Sequence, residues 1–219
     1  MKKKVNFKTI FKKINKLLPL NKVIRILIFS DVFLLFGWGL IMPILAIFIG
    51  DTIQGGDAKV AGTAVGVYWI VKSIAQIPIS HRLDKNDGER DDYYSLIFGT
   101  LLASLTPFGF LFATLPWHVY LIQAIHALGM AFAVPSWSAM FTRHIDKKRE
   151  ALSWGVHSSS LGLGAGVAGI IGGAVAKTYG FAPIFIAVAV CGIIASFLFF
   201  LISKDIIPKE RVFPLPKPF

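Results

Sequence analysis

Residues 158–173 read SSSLGLGAGVAGIIGG, and the glycines in this stretch are periodic. Gly162, Gly166, Gly169 and Gly173 fall at i, i+4, i+7 and i+11, with Ser159 and Gly155 extending the series backwards, so on a helix they form one bare stripe. In water so many glycines argue against a helix, at about 1 kcal/mol each relative to alanine. The residues among them, including Ala165, Val167, Ala168, Ile170 and Ile171, are uncharged and apolar. In lipid every backbone N–H and C=O must pair within its own segment, which enforces the helix and makes small residues its close-packing face. The stretch predicts a membrane-spanning helix with Gly155, Ser159, Gly162, Gly166, Gly169 and Gly173 as its packing stripe.

The rest of the chain agrees with that environment. Of 219 residues 55% are hydrophobic and 16% charged, the mean hydropathy is +0.66, and the charges collect in short blocks between long apolar runs. This is the pattern of a polytopic membrane protein. The net charge of +11 would suggest nucleic acid in a water-soluble chain, but basic residues beside spanning helices answer to insertion topology and anionic lipid, so no nucleic-acid partner is expected. The single cysteine, Cys191, lies in an apolar run, which leaves no disulfide framework and no cysteine-based metal site.

Residues 1–22 are basic, with Phe7, Ile10, Phe11, Ile14, Leu17 and Leu18 at helical spacing among lysines, which reads as an amphipathic segment lying in the cytoplasmic interface. No small-residue cleavage site follows the first apolar run, so no removed signal peptide is read. Six apolar runs then occupy 23–49, 60–80, 93–114, 117–142, 151–178 and 181–203, each meeting the roughly 20 residues that a hydrocarbon core requires. Residues 23–203 are thus expected to form an all-α, six-transmembrane-helix bundle, followed at 204–219 by a proline-rich tail ending FPLPKPF. Of the 23 Lys and Arg, Lys59 and Lys177 lie at span ends on the side opposite the termini, Lys72 falls deep inside a span, and all the others share the side of the termini. The positive-inside rule then places both termini in the cytoplasm, and the protein integrally in the plasma (inner) membrane.

Ionisable groups inside spans are expensive and usually face a cavity or each other. Asp31 and Lys72 come from the first two spans at similar depth, where they can pair or act in a substrate-linked or proton-linked switch. Gln76 lies one turn from Lys72, Gln123 and His126 are an i, i+3 pair in span four, and His157 sits in span five. These six residues are the candidate substrate or coupling cavity. A lone helical histidine more often packs than ligates, so neither a metal nor another cofactor is expected. Trp38, Trp69, Trp137 and Trp154 can line the same space, although lipid-facing or core positions are commoner for such rings. Trp117 and His118 read as interface anchors. Pro43, Pro78, Pro107 and Pro135 can bend their spans.

Several of these segments, taken in order, resemble the N-terminal six-span half of the major facilitator superfamily. Residues 35–45, LFGWGLIMPIL, are similar to that family's first-helix pattern of glycines followed by a proline. Residues 80–90, SHRLDKNDGER, resemble its loop signature G-x-L-A-D-R-x-G-R-R, with Asp84, Lys85, Gly88 and Arg90 in recognisable places, although Ser80 replaces glycine, Glu89 replaces a basic residue and one extra residue precedes Gly88. The resemblance implies that these four form a cytoplasmic gate holding helix ends together in the outward-facing state, while Asp87, Asp91 and Asp92 read as solvated loop charges. Residues 123–131 are similar to R-x-x-Q-G-x-G-A-A with Gln123 at the arginine, and the loss of that arginine argues against proton coupling there. Residues 164–173 resemble the antiporter signature without its proline, and 146–151, DKKREA, the basic loop before it.

The fold implied is one half of the major facilitator fold. The family usually has twelve spans in two halves, so a six-span chain implies a second body, either a second copy of itself in a parallel homodimer or another six-span chain. The expected activity is secondary active transport of a small molecule by a rocking switch, driven by a gradient because no G-x-x-x-x-G-K-[ST] loop for ATP is present. The rival is a non-transporting membrane interaction protein, or one half of a split or truncated transporter. An enzyme is not expected, since neither a clustered metal signature nor a nucleophile elbow occurs. Membrane lipid is the remaining partner, and the substrate is not legible.

Overall fold

The computed structural model describes residues 20–85 and 89–207. The expectations for most of 1–22, for Gly88 and for most of 204–219 therefore lie outside the described residues. Within them the regular structure is all helix: α1 (Lys22–Ile41), α2 (Leu45–Thr52), α3 (Ala58–Leu83), α4 (Arg90–Leu105), α5 (Pro107–Phe110), α6 (Pro116–His144), α7 (Glu150–Tyr179), α8 (Ala182–Leu198), a 3₁₀ turn (Phe199–Ile202) and α9 (Ser203–Ile206). Six helical segments are long and apolar enough to cross a membrane: α1, α3, α4 with α5, α6, α7, and α8 with the turn and α9. The fold is thus a six-span all-α bundle.

The helix ends follow local chemistry. Asn21 accepts from the Ile24 N–H at 2.9 Å to start α1, and Asp57 accepts from the Val60 N–H at 2.7 Å to start α3. Proline lacks an N–H and crowds the carbonyl four residues back, and span one breaks at Pro43 between α1 and α2. Pro107 likewise opens α5 after the break at Thr106, whereas Pro78 and Pro135 sit inside unbroken helices. His118, expected only as an anchor, also caps: its Nδ1 accepts from the N–H groups of Thr114 and Leu115 at 3.1 and 3.2 Å.

Neighbouring spans form an open arc in the order α3, α6, α4, α8, α1, α7, with α1 touching α6 across the middle. Small residues bring the inner pairs together. A Cβ on Gly99 of α4 would come within 2.5 Å of the Gly129 carbonyl on α6, and one on Gly172 of α7 would collide with the Leu40 carbonyl of α1. Two apolar cores fill the arc. One, around Phe48, Phe110 and Phe185 with ring centroids 4.8–5.9 Å apart, lies toward the end away from the termini. The other packs Leu27, Tyr93, Met140, Phe141 and Ile202 at the terminus-bearing end.

The arc's two ends are the bare ones. Only 11% of the apolar stretch of α3, and of α7, is buried, against 44–56% in the other four spans. The expected stripe on α7 lies mostly on this open side: a Cβ on Gly155, Gly162, Gly166 or Gly173 would meet nothing within 4 Å, and on Gly169 only Pro43 at 3.9 Å. Within the chain, α7 instead packs through the adjacent face of Ala165, Ala168 and Gly172 against Gly39 and Leu40. On α3 a second pair of unoccupied glycines, Gly62 and Gly66, is equally open.

Candidate functional site

A cavity of about 810 Å³ lies between the two ends of the arc, lined mainly by α1, α3, α6 and α7. Of the six residues singled out in the spans, Asp31, Lys72, Gln123, His126 and His157 line it, while Gln76 does not. The volume is within the range of about 300–1,000 Å³ typical of small-molecule sites.

Asp31 does not reach Lys72. Its Oδ2 accepts from His157 Nε2 at 2.6 Å, linking α1 to α7. Aromatic rings hold that imidazole: Trp137 stacks on it with centroids 4.5 Å apart, and Phe141 and Trp154 lie at 5.5 and 5.9 Å. Trp137 is itself fixed by donating its indole N–H to the Leu27 carbonyl at 3.2 Å. The pair is thus a positioned acid–imidazole couple, able to exchange a proton or a ligand contact across two helices.

On the other flank Lys72 Nζ lies 5.0 Å from the Trp69 ring centroid and 5.9 Å from that of Tyr68, and none of the ion pairs among the described residues includes it. His126 is sandwiched between Trp38 at 3.9 Å and Tyr68 at 5.0 Å, both nearly parallel to it. It is buried, and neither of its ring nitrogens has a hydrogen-bond partner among the described residues. Tyr68, which touches both His126 and Lys72, was missed by sequence reasoning, because nothing distinguishes one tyrosine in an apolar run until its neighbours are known.

At the terminus-bearing end the charges fall differently from the gate that the resemblance implies. Asp84, Lys85 and Arg90 are exposed, and Arg90 lies over the Tyr94 ring at 5.9 Å. Asp92, expected to be solvated, is 1% exposed and accepts from Arg143 of α6. Glu89 lies 4.0 Å from the same guanidinium and 3.5 Å from His144 Nδ1. Asn21 adds α1 to the group by donating to the His144 carbonyl. The physical reason is register: within the first turn of α4, residue 92 faces α6, whereas residues 84 and 85 sit past the end of α3. By contrast Lys22–Asp205, at 2.6 Å with both side chains well exposed, is a surface pair worth little.

Six spans wrapped around a cavity that holds ionisable side chains at membrane depth define a polytopic helical membrane protein with an internal ligand-sized site. The chain belongs to the Major Facilitator Superfamily, whose family model matches residues 27–218. It is similar to an uncharacterized MFS-type transporter of Methanocaldococcus jannaschii, with 24% identity over 183 residues covering 80% of this chain and 45% of that protein. Its fold is similar to that of the POT family transporter PepTSo, with a TM-score of 0.61 and 17% identity over 86% of this chain and 40% of that one. The chain thus spans less than half the length of the relatives it matches.

Proposed function

We propose that this chain forms half of a secondary active transporter that moves a small molecule by rocking two six-span bodies about a site near the membrane midplane. The observation that carries this reading is the cavity between α3 and α7, whose walls hold Asp31, Lys72 and two histidines while the flanking helices are bare. Bare helices carrying open glycines are what a second helical body needs for close approach. That body is a second copy of the chain or another six-span chain. The basic bias of the terminus side supports cytoplasmic termini in the plasma (inner) membrane. Asp84, Lys85, Gly88 and Arg90, together with Arg143 and the buried Asp92 it pairs with, are the proposed gate on that side.

The test is uptake or counterflow in proteoliposomes, screened over small organic solutes. Asp31→Asn is expected to slow transport at least tenfold, while Gln76→Ala, whose side chain lies off the cavity wall, leaves it within twofold. Solute movement indifferent to Asp31→Asn, or none under any gradient, would favour a membrane interaction protein that keeps the fold without the pathway.

A further inference from the structure

The cavity's polar groups are unevenly satisfied, and the imbalance has a sign. Its carboxylate, Asp31, already has a partner in His157 at 2.6 Å. Among the described residues its ammonium, Lys72, has only the faces of Trp69 and Tyr68. A cation over an aromatic ring gains less at an exposed site than removing an ion from water costs. Once a second body covers the cavity, Lys72 is left short of an anion. Among the neighbouring orphans Trp38 Nε1 points the same way, since it is buried without a partner among the described residues and can only donate, while the unpartnered His126 ring offers at least one N–H and, when neutral, one acceptor nitrogen. Ser30 Oγ, also in the wall and also without a partner, adds a hydroxyl donor. Buried donors without acceptors are costly, and a ligand that supplies acceptors recovers that cost.

We infer that the occupant of this cavity is an amphipathic organic anion, with a carboxylate or similar acceptor-rich group held by Lys72, His126 and Trp38 and an apolar, preferably aromatic, body against the surrounding rings. This rests on the proposed function for the second body that covers Lys72 and for calling the occupant a substrate, while the unpartnered donors are a property of the cavity itself. A cationic ligand would have to share or displace the hydrogen bond that His157 makes to Asp31.

The experiment uses the full chain in lipid nanodiscs and three probes of one shape: 4-phenylbutyrate, 4-phenylbutyramide and 4-phenylbutylamine, titrated calorimetrically. The carboxylate is expected to bind at least tenfold tighter than the amide or the amine. Lys72→Gln should erase that preference, and Lys72→Arg should retain most of it. Each variant's thermal midpoint is measured alongside, so that a folding defect is not read as lost binding. Equal or tighter binding of the amide or amine, no binding of the carboxylate, or a preference that survives Lys72→Gln overturns the inference. Uptake of phenylbutyrate in proteoliposomes separates the two readings: selective anion binding without uptake keeps this inference and sinks transport, whereas uptake of an amine independent of Lys72 does the reverse.

Discussion

A carboxylate 1% exposed beside a guanidinium that still reaches solvent is an unequal pair, and the two partners differ in what their loss leaves behind. Removing one member of a fully buried pair costs about 3–5 kcal/mol because the other charge is stranded. Arg143→Met strands the buried Asp92, and because Arg143 is 39% exposed its truncation opens a path for water to that carboxylate, so the expected cost is about 2 kcal/mol, or some 5 °C in the thermal midpoint. Asp92→Asn, which removes the stranded charge and keeps an acceptor, should cost less. The double variant Asp92→Asn/Arg143→Met should be more stable than Arg143→Met alone. Thermal unfolding of the three in nanodiscs checks this, and a single Arg143→Met indistinguishable from wild type would show that the pair holds nothing together. Sequence could not identify this pair: Asp87, Asp91 and Asp92 read alike as solvated loop charges, and the partner that selects Asp92 lies 51 residues away on another helix.

Between helices, the same residue type does opposite things according to its neighbour. Gly99 and Gly129 stand where two backbones meet, so Gly99→Ala is expected to destabilise by about 1–3 kcal/mol through overpacking, and Gly172→Ala against Leu40 by a similar amount. Gly166→Leu, facing open space in the same helix as Gly172, should leave the isolated chain's unfolding midpoint unchanged and act only on assembly. A midpoint lowered by Gly166→Leu as far as by Gly172→Ala would mean that the stripe packs inside the chain after all. The number, order and approximate bounds of the spans were legible because lipid demands long apolar runs whatever the neighbours are. The glycine period was legible too, but not its partner, since a helix wheel reports which residues share a face and says nothing of what covers it. The cavity falls between these cases. Expensive polar groups in spans flag themselves, which singled out Asp31, Lys72, Gln123, His126 and His157, yet the Asp31–His157 match and the aromatic sandwich on His126 depend on helix rotation.

At the scale of the whole molecule, an arc with two bare ends can be closed by a copy of itself. A two-fold axis along the membrane normal keeps both copies in the same orientation, and it brings the α3 end of one copy to the α7 end of the other at two equivalent seams. Both faces are prepared for close approach, with Gly62 and Gly66 on α3 and Gly166 and Gly173 on α7 all facing open space. Gly66 and Gly173 lie eight and six residues from the helix ends away from the termini, so they sit at similar depth. In a background with Cys191→Ala, the double variant Gly66→Cys/Gly173→Cys should give a covalent dimer with a short bismaleimide. Either cysteine alone should not, because the two-fold places α3 against α7 and keeps like helices apart. Cross-linking by Gly173→Cys alone would replace this geometry with an α7–α7 contact that leaves α3 bare and the cavity half-walled. No dimer in any variant, with the monomer mass retained in nanodiscs, would leave another six-span chain as the body that completes the site, and co-expression with candidate chains would then be the route to it.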